Sequence, residues 1–208
     1  MSGTLWIVGG SNGAGKTTAV SSAAVRDELE GVEFLNPADV TLTKLRSLGY
    51  SNFADVPEDE LRGLFLESAI ETEETMANLL AIGRSVGIET VLSSAKYKRH
   101  VEELIENGGE FRLIYVSLRS ADLGVERVSS RQLLGGHGVP EDKIRSRFIR
   151  SHENLPWFLS RASMGFIFDN SSADEEAAPK LVAIATDGVL NVIDDIDIAP
   201  QLRRALGV

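Results

Sequence analysis

GGSNGAGKTT, residues Gly9 to Thr18, is the stretch on which the reading of the fold turns. From Gly10 to Thr17 it satisfies G-x-x-x-x-G-K-[ST] at every position, the spacing of a loop that cradles phosphate. The four residues before it, LWIV (Leu5 to Val8), form an apolar run that predicts a buried parallel strand entering a tight turn. After it, Lys16 to about Leu29 reads as a helix. A strand, a glycine-rich loop and a helix in that order turn successive backbone N–H groups toward one anion, and the helix N-terminus adds partial positive charge. The candidate nucleotide-binding set is therefore Gly10, Ser11, Asn12, Gly13, Ala14, Gly15, Lys16, Thr17 and Thr18. Lys16 is suited to the β and γ phosphates, and Thr17 offers a hydroxyl to Mg²⁺. Such a cradle serves hydrolases, switches and kinases alike, so the remaining chain has to choose among them.

Working outward, VEFLN (Val32 to Asn36), VGIET (Val86 to Thr90), FRLIYVSL (Phe111 to Leu118) and MGFIFDN (Met164 to Asn170) read as four further strands. Helical patterns separate them: a long one from Pro57 to about Gly83, then Ala95 to Asn107, Ser120 to Leu134, and about Glu141 to Leu159. LVAIATDGVLNVI predicts a hairpin turning at Asp187 and Gly188, followed by a short helix from about Pro200. Strands alternating with helices predict an α/β, three-layer P-loop NTPase fold with a mostly parallel five-stranded sheet and a small C-terminal hairpin. With 208 residues, 43% of them hydrophobic, one domain over residues 1–208 is expected.

Composition narrows the functional classes. The chain has no Cys, which excludes disulfides and thiolate metal sites and fits a reducing compartment, so a cytoplasmic location is expected. No stretch approaches the roughly 20 apolar residues of a membrane span, and no membrane association is expected. A net charge of -10 repels polyanions, so nucleic acid is not an expected partner.

Phosphoryl transfer also needs a carboxylate to take the acceptor's proton and cations over the moving phosphoryl group. Asp39 follows the second predicted strand, and Glu89 and Thr90 end the third, where open α/β sheets hold their ligands. Arg127, Arg131, Lys143, Arg145, Arg147 and Arg150 lie on two helices either side of Gly135 and Gly136, with His137 in the break. That pattern predicts a lid over about residues 127–150 that brings positive charge to the transition state. Local acids Glu126, Glu141 and Asp142 are alternative partners for these cations. Asp169 and Asn170 in FDNSS read first as a turn at the sheet edge, with holding the adenine-side loop as the alternative.

These motifs in this order, GGSNGAGKTT, FLNPADV, IETVLSS, FRLIYVSLRSADLGVERVSSR, GGHGVPEDKIRSRFIRSHENL and IFDNSS, resemble the zeta-toxin-like P-loop kinases, in particular a stand-alone bacterial branch described as predicted ABC-type ATPases. The resemblance spans nearly the whole chain, and the run GGHGVPEDKIRSRF is its most specific part. It implies ATP and Mg²⁺ as cofactors and phosphorylation of a UDP-activated amino sugar, UDP-N-acetylglucosamine. It also implies Lys16 and Thr17 on ATP and Mg²⁺, Glu89 on the acceptor, Arg131, Arg147 and Arg150 at the γ-phosphate, and a base in the loop holding Asp39; Thr90, Arg127 and His137 complete the expected acceptor set. A small antitoxin-like inhibitor is the implied protein partner. Two positions depart from the pattern: Ala38 stands where the branch usually has an acid, displacing Asp39 by one, and Val91 stands where a substrate-contacting Thr is common.

Three functions therefore stay open on sequence alone. One is a kinase of a nucleotide-activated sugar. The second is a plain ATPase or a nucleoside or nucleotide kinase, and the third is a non-catalytic ATP-dependent binding module.

Overall fold

The structure is a computed structural model and describes residues 3–133, 138–172, 177–194 and 198–208. Strands β1 (Thr4–Gly9), β2 (Glu33–Leu35), β3 (Val86–Thr90), β4 (Glu110–Ser117) and β5 (Met164–Asp169) pair in parallel in the order β2-β3-β1-β4-β5. The hairpin strands β6 (Lys180–Thr186) and β7 (Val189–Val192) then extend the same sheet, β6 lying antiparallel to β5. The sheet thus has seven strands rather than the expected five. Asp187 (φ 49°) and Gly188 (φ 76°) make the two-residue turn, whose twist suits adjacent antiparallel strands. Val182, Ala183 and Ala185 are buried, so β6 has an apolar face to place against the core.

Helices cover both faces, because the central strands are apolar on both. Leu5, Ile7, Ile88, Leu113, Tyr115 and Ile167 face one layer, built from α3 (Glu58–Ala81), α4 (Lys98–Glu106), α6 (Glu141–Leu159) and α7 (Pro200–Leu206). Trp6, Val8, Ile114, Val116, Phe166 and Phe168 face the other, where α1 (Lys16–Val20) and α5 (Ala121–Leu133) lie. Each fully buried Leu, Ile or Val contributes about 1.5–3 kcal/mol, and alternate residues of one strand serve opposite layers.

Two helices differ from expectation. The first ends at Val20 instead of about Leu29. Beyond it Ser21 Oγ donates to Thr17 O (3.4 Å) and Ser22 Oγ accepts from Ala24 N (3.3 Å), local bonds that compete with helix continuation. The second, α2 (Pro37–Ser47), begins where the resemblance implies a loop holding Asp39. Asn36 Oδ1 accepts from Ala38 N (3.0 Å) as its N-cap and Pro37 opens the first turn, a start signal that outweighs a polar interior.

Since β1, β3, β4 and β5 run the same way, Gly9, Thr90, Ser117 and Asp169 end at one edge. Gly9 pairs with Thr90, and Ser117 with Asp169. This edge carries the candidate site.

Candidate functional site

The loop between β1 and α1 bends through Gly10 (φ 146°), Gly13 (φ 76°) and Gly15 (φ 81°), backbone angles that residues with a Cβ rarely adopt. Its flanks are tightly bounded. A Cβ on Gly13 would stand 2.8 Å from Gly124 O of α5, and one on Gly15 would collide with the Asn170 carboxamide. Ser11 and Ala14 are buried.

Lys16 is 9% exposed. Its Nζ donates to Gly10 O (3.0 Å) and Ser11 O (3.3 Å) and lies 3.6 Å from Glu89 Oε1. Burial pushes the Lys16 pKa below its ordinary value, Glu89 opposes that shift, and the Arg131 charge adds to it. Thr17 Oγ1 donates to the other carboxylate oxygen, Glu89 Oε2 (3.4 Å). Gly13, Ala14, Gly15, Lys16, Thr17, Glu89, Arg127, Val128 and Arg131 line one cleft of about 200 Å³, and Glu89 is its one carboxylate among the described residues.

The chemistry of this donor set fits a polyphosphate with its divalent cation. The ammonium, the arginines and the loop N–H groups suit phosphate oxygens, while the Thr17 hydroxyl beside the Glu89 carboxylate suits a hard cation that prefers oxygen ligands. The expected set is thus divided. Gly10 and Ser11 serve as carbonyl anchors for Lys16, and Asn12 adjoins them with its Oδ1 buried and unpartnered among the described residues. Thr18 is exposed on α1.

On the acceptor side the contacts are fewer. Asp39 is exposed in the first turn of α2 and does not line the cleft. Thr90 Oγ1 accepts from Leu92 N (3.3 Å), holding a turn in which Leu92 takes φ 59°. Arg147 is half-buried and Arg150 exposed on α6, and neither lines the cleft. His137 lies outside the described residues. Arg145 is bound to Asp122 and Glu141 (both 2.7 Å), which ties α6 to α5. Arg127, besides lining the cleft, donates to Asn170 O (3.0 Å) and Ser172 O (3.4 Å).

Sequence reading missed what Asn170 does. It is buried, its Nδ2 donates to Ala14 O (2.9 Å) and its own N–H donates to Ser117 O (2.9 Å). Neither the turn reading nor the adenine-side alternative names the phosphate loop as its partner, and nothing local in FDNSS points to one 156 residues away.

The family model described as Zeta toxin matches residues 2–172. The chain belongs to the zeta toxin family. Among solved structures, the complex AvrRxo1-ORF1:AvrRxo1-ORF2 with sulphate ions has a TM-score of 0.68 to this zeta toxin family member at 16% identity, covering 93% of this chain and 61% of that one. The same complex with ATP has a TM-score of 0.65 at 16% identity, with the same coverage. This chain therefore spans 61% of the length of those relatives. The PezAT chromosomal toxin-antitoxin system of Streptococcus pneumoniae has a TM-score of 0.63 at 14% identity, covering 100% of this chain and 79% of that one. At such identities the likeness establishes the fold. No curated protein matches the sequence. Among the described residues, no helix is long and apolar enough to cross a membrane.

Proposed function

We propose that this zeta toxin family member is an ATP-dependent kinase, one kinase-like domain over residues 1–208 with a lid over about 127–150. The proposed reaction is transfer of the γ-phosphoryl group to a hydroxyl of a nucleotide-activated sugar such as UDP-N-acetylglucosamine. The observation that carries the reading is the meeting of Lys16, Thr17, Glu89, Arg127 and Arg131 on one cleft at the phosphate loop. Membership of the family supports it, as does a relative of the same fold solved with ATP.

In this reading bound ATP and Mg²⁺ supply the phosphoryl group and the charge that screens it. The loop N–H groups and Lys16 hold the β and γ oxygens, giving up the bonds of Lys16 to Gly10 O and Ser11 O. Thr17 holds the cation. Arg131, Arg147 and Arg150 oppose negative charge as it develops. Asp39 takes the proton as the acceptor oxygen forms its bond to phosphorus and the bond to the ADP oxygen breaks. Glu89, Thr90, Arg127 and His137 are assigned to the acceptor. A small antitoxin-like inhibitor is the proposed partner, supported by the toxin-antitoxin relative, and the cytoplasm is the proposed location.

The test is incubation with γ-labelled ATP, Mg²⁺ and a panel of UDP-sugars and nucleosides, with Lys16→Ala and Asp39→Asn alongside. Label on a UDP-amino sugar is expected, abolished by the first variant and lowered roughly 10²–10⁴-fold by the second. Label appearing only as free phosphate would replace the kinase by an ATPase, and label on a nucleoside would change the acceptor.

A further inference from the structure

Asn170 has no part in the scheme above, yet it is buried against the phosphate loop. Its carboxamide Nδ2 donates to Ala14 O at 2.9 Å. In a trans peptide the C=O of one residue and the N–H of the next point in opposite directions. A donor that holds Ala14 O outward therefore turns Gly15 N–H inward, toward the space above Lys16 where an anion would sit.

The peptide between Ala14 and Gly15 needs that help. Gly15 takes φ 81° and ψ 34°, and a glycine populates positive and negative φ with similar ease. Its own backbone does not select the orientation in which N–H points inward. A Cβ at this position would collide with Asn170 Nδ2, so glycine is required here partly because the carboxamide lies so close.

Asn170 is itself fixed from three directions. Its N–H donates to Ser117 O (2.9 Å) at the end of β4. Its carbonyl accepts from Arg127 Nη1 (3.0 Å). The next two carbonyls, of Ser171 and Ser172, accept from Arg119 (2.9 Å) and Arg127 (3.4 Å). Asp169 Oδ1 accepts from Ser171 N (2.8 Å) and closes the turn. The segment leaving β5 is thus held by two arginines with Asn170 aimed at the loop.

We infer that Asn170 is a positioning residue for phosphate binding: it fixes the Ala14–Gly15 peptide so that Gly15 N–H faces the nucleotide's phosphates, with Arg127 holding Asn170 in place. The inference rests on the nucleotide reading proposed above and gives Arg127 a task beyond the acceptor role assigned to it.

Asn170→Asp preserves shape but presents an acceptor to Ala14 O, and Asn170→Ala removes the donor. Binding of ATP and of adenosine by calorimetry, the Gly15 amide resonance on adding ATP, and melting temperature without nucleotide together make the test. The unaltered chain binding ATP and shifting the Gly15 amide downfield is the starting condition; a folded chain that binds no ATP would strike the nucleotide reading before any variant is compared. Both variants are expected to lose ATP affinity about tenfold or more, to keep their adenosine affinity and to lose the Gly15 shift. ATP affinity and Gly15 shift equal to those of the unaltered chain, in a variant that melts normally, would overturn the inference. If Asn170→Ala melts below the assay temperature, Asn170→Asp decides alone.

Discussion

The phosphate loop and helix α6 both bring cations to the same sheet edge, and they hold them in opposite ways. Lys16 is buried, bonded to Gly10 O and Ser11 O and paired with Glu89. Arg147 and Arg150 lie half-buried and exposed on a helix tied to α5 before them by Arg145 and Asp122 (2.7 Å) and held after them by three further contacts. Those contacts are Tyr115 Oη with Ser151 Oγ (3.0 Å), Ser117 Oγ with His152 Nε2 (2.9 Å), and Asn154 Nδ2 donating to Leu92 O (3.1 Å). The loop is organised by its own bonds. Arg147 and Arg150 have a firm base and no bond of their own among the described residues, so their contribution is expected mainly when charge has developed between them.

The largest effect that this contrast predicts is at Lys16. Lys16→Ala removes a buried cation from the phosphate side and leaves Glu89 facing the cleft without its partner. ATP turnover should fall roughly a thousandfold, with ATP binding by calorimetry weakened in step. Loss of turnover with intact ATP affinity would mean that Lys16 acts only in the transition state, and the distinction between a preformed cradle and a late-acting helix would collapse.

Why the cradle was legible and other features were not follows from where each contact partner sits in the chain. Gly10 to Thr17 supply their own turn, donors and helix start within eight residues, so composition and order suffice. Strands β1, β3, β4 and β5 are apolar on both faces and bounded by polar turns, which is a local signal as well. Helix α2 had its signal in Asn36 and Pro37, but a polar interior hid its periodicity. The continuation of the sheet through β6 depends on pairing with β5, which no hairpin pattern states. The Asn170 bond to Ala14 joins residues far apart in sequence, and the spacing of Arg127 on its helix does not state that it grips carbonyls as well as facing the cleft. Asp39, Arg147 and Arg150 follow from position along the chain, and none of them lines the cleft in the fold.

A smaller effect, and a sharper one for the comparison, is expected at Arg147. It sits three residues after buried Ile144 and four before buried Ser151, on the flank of α6 nearer the sheet. Arg147→Ala should lower kcat by roughly a hundredfold while changing the ATP dissociation constant little. Steady-state kinetics on the acceptor that the labelling experiment identifies, set beside calorimetry, would separate the two. An equal loss of both would place Arg147 with Lys16 as a ground-state contact.

The smallest effect tests the base of α6. His152 Nδ1 faces Phe148 O at 2.8 Å, a group that only accepts, so Nδ1 carries the proton and Nε2 accepts from Ser117 Oγ. Burial pushes the His152 pKa down, against the opposing effects of the Phe148 carbonyl and of Asp169. The sign of the pH dependence follows. Below about pH 6.5 an unfolded histidine takes up a proton while the folded one resists it, so the unfolded state is favoured and stability falls on acidification until the folded ring titrates. A His152→Gln variant lacks that coupling. The margin by which the unaltered chain outlasts the variant in thermal melting should be widest near neutral pH and should narrow as pH drops through this window, by on the order of a few degrees. Kinetics should be nearly level over the same range wherever both proteins are fully folded, because the ring contacts Ser117 and Phe148 rather than the cleft. A margin that widens on acidification would mean that His152 is charged in the fold, and α6 would then be held by an ion pair with Asp169 instead of by neutral hydrogen bonds.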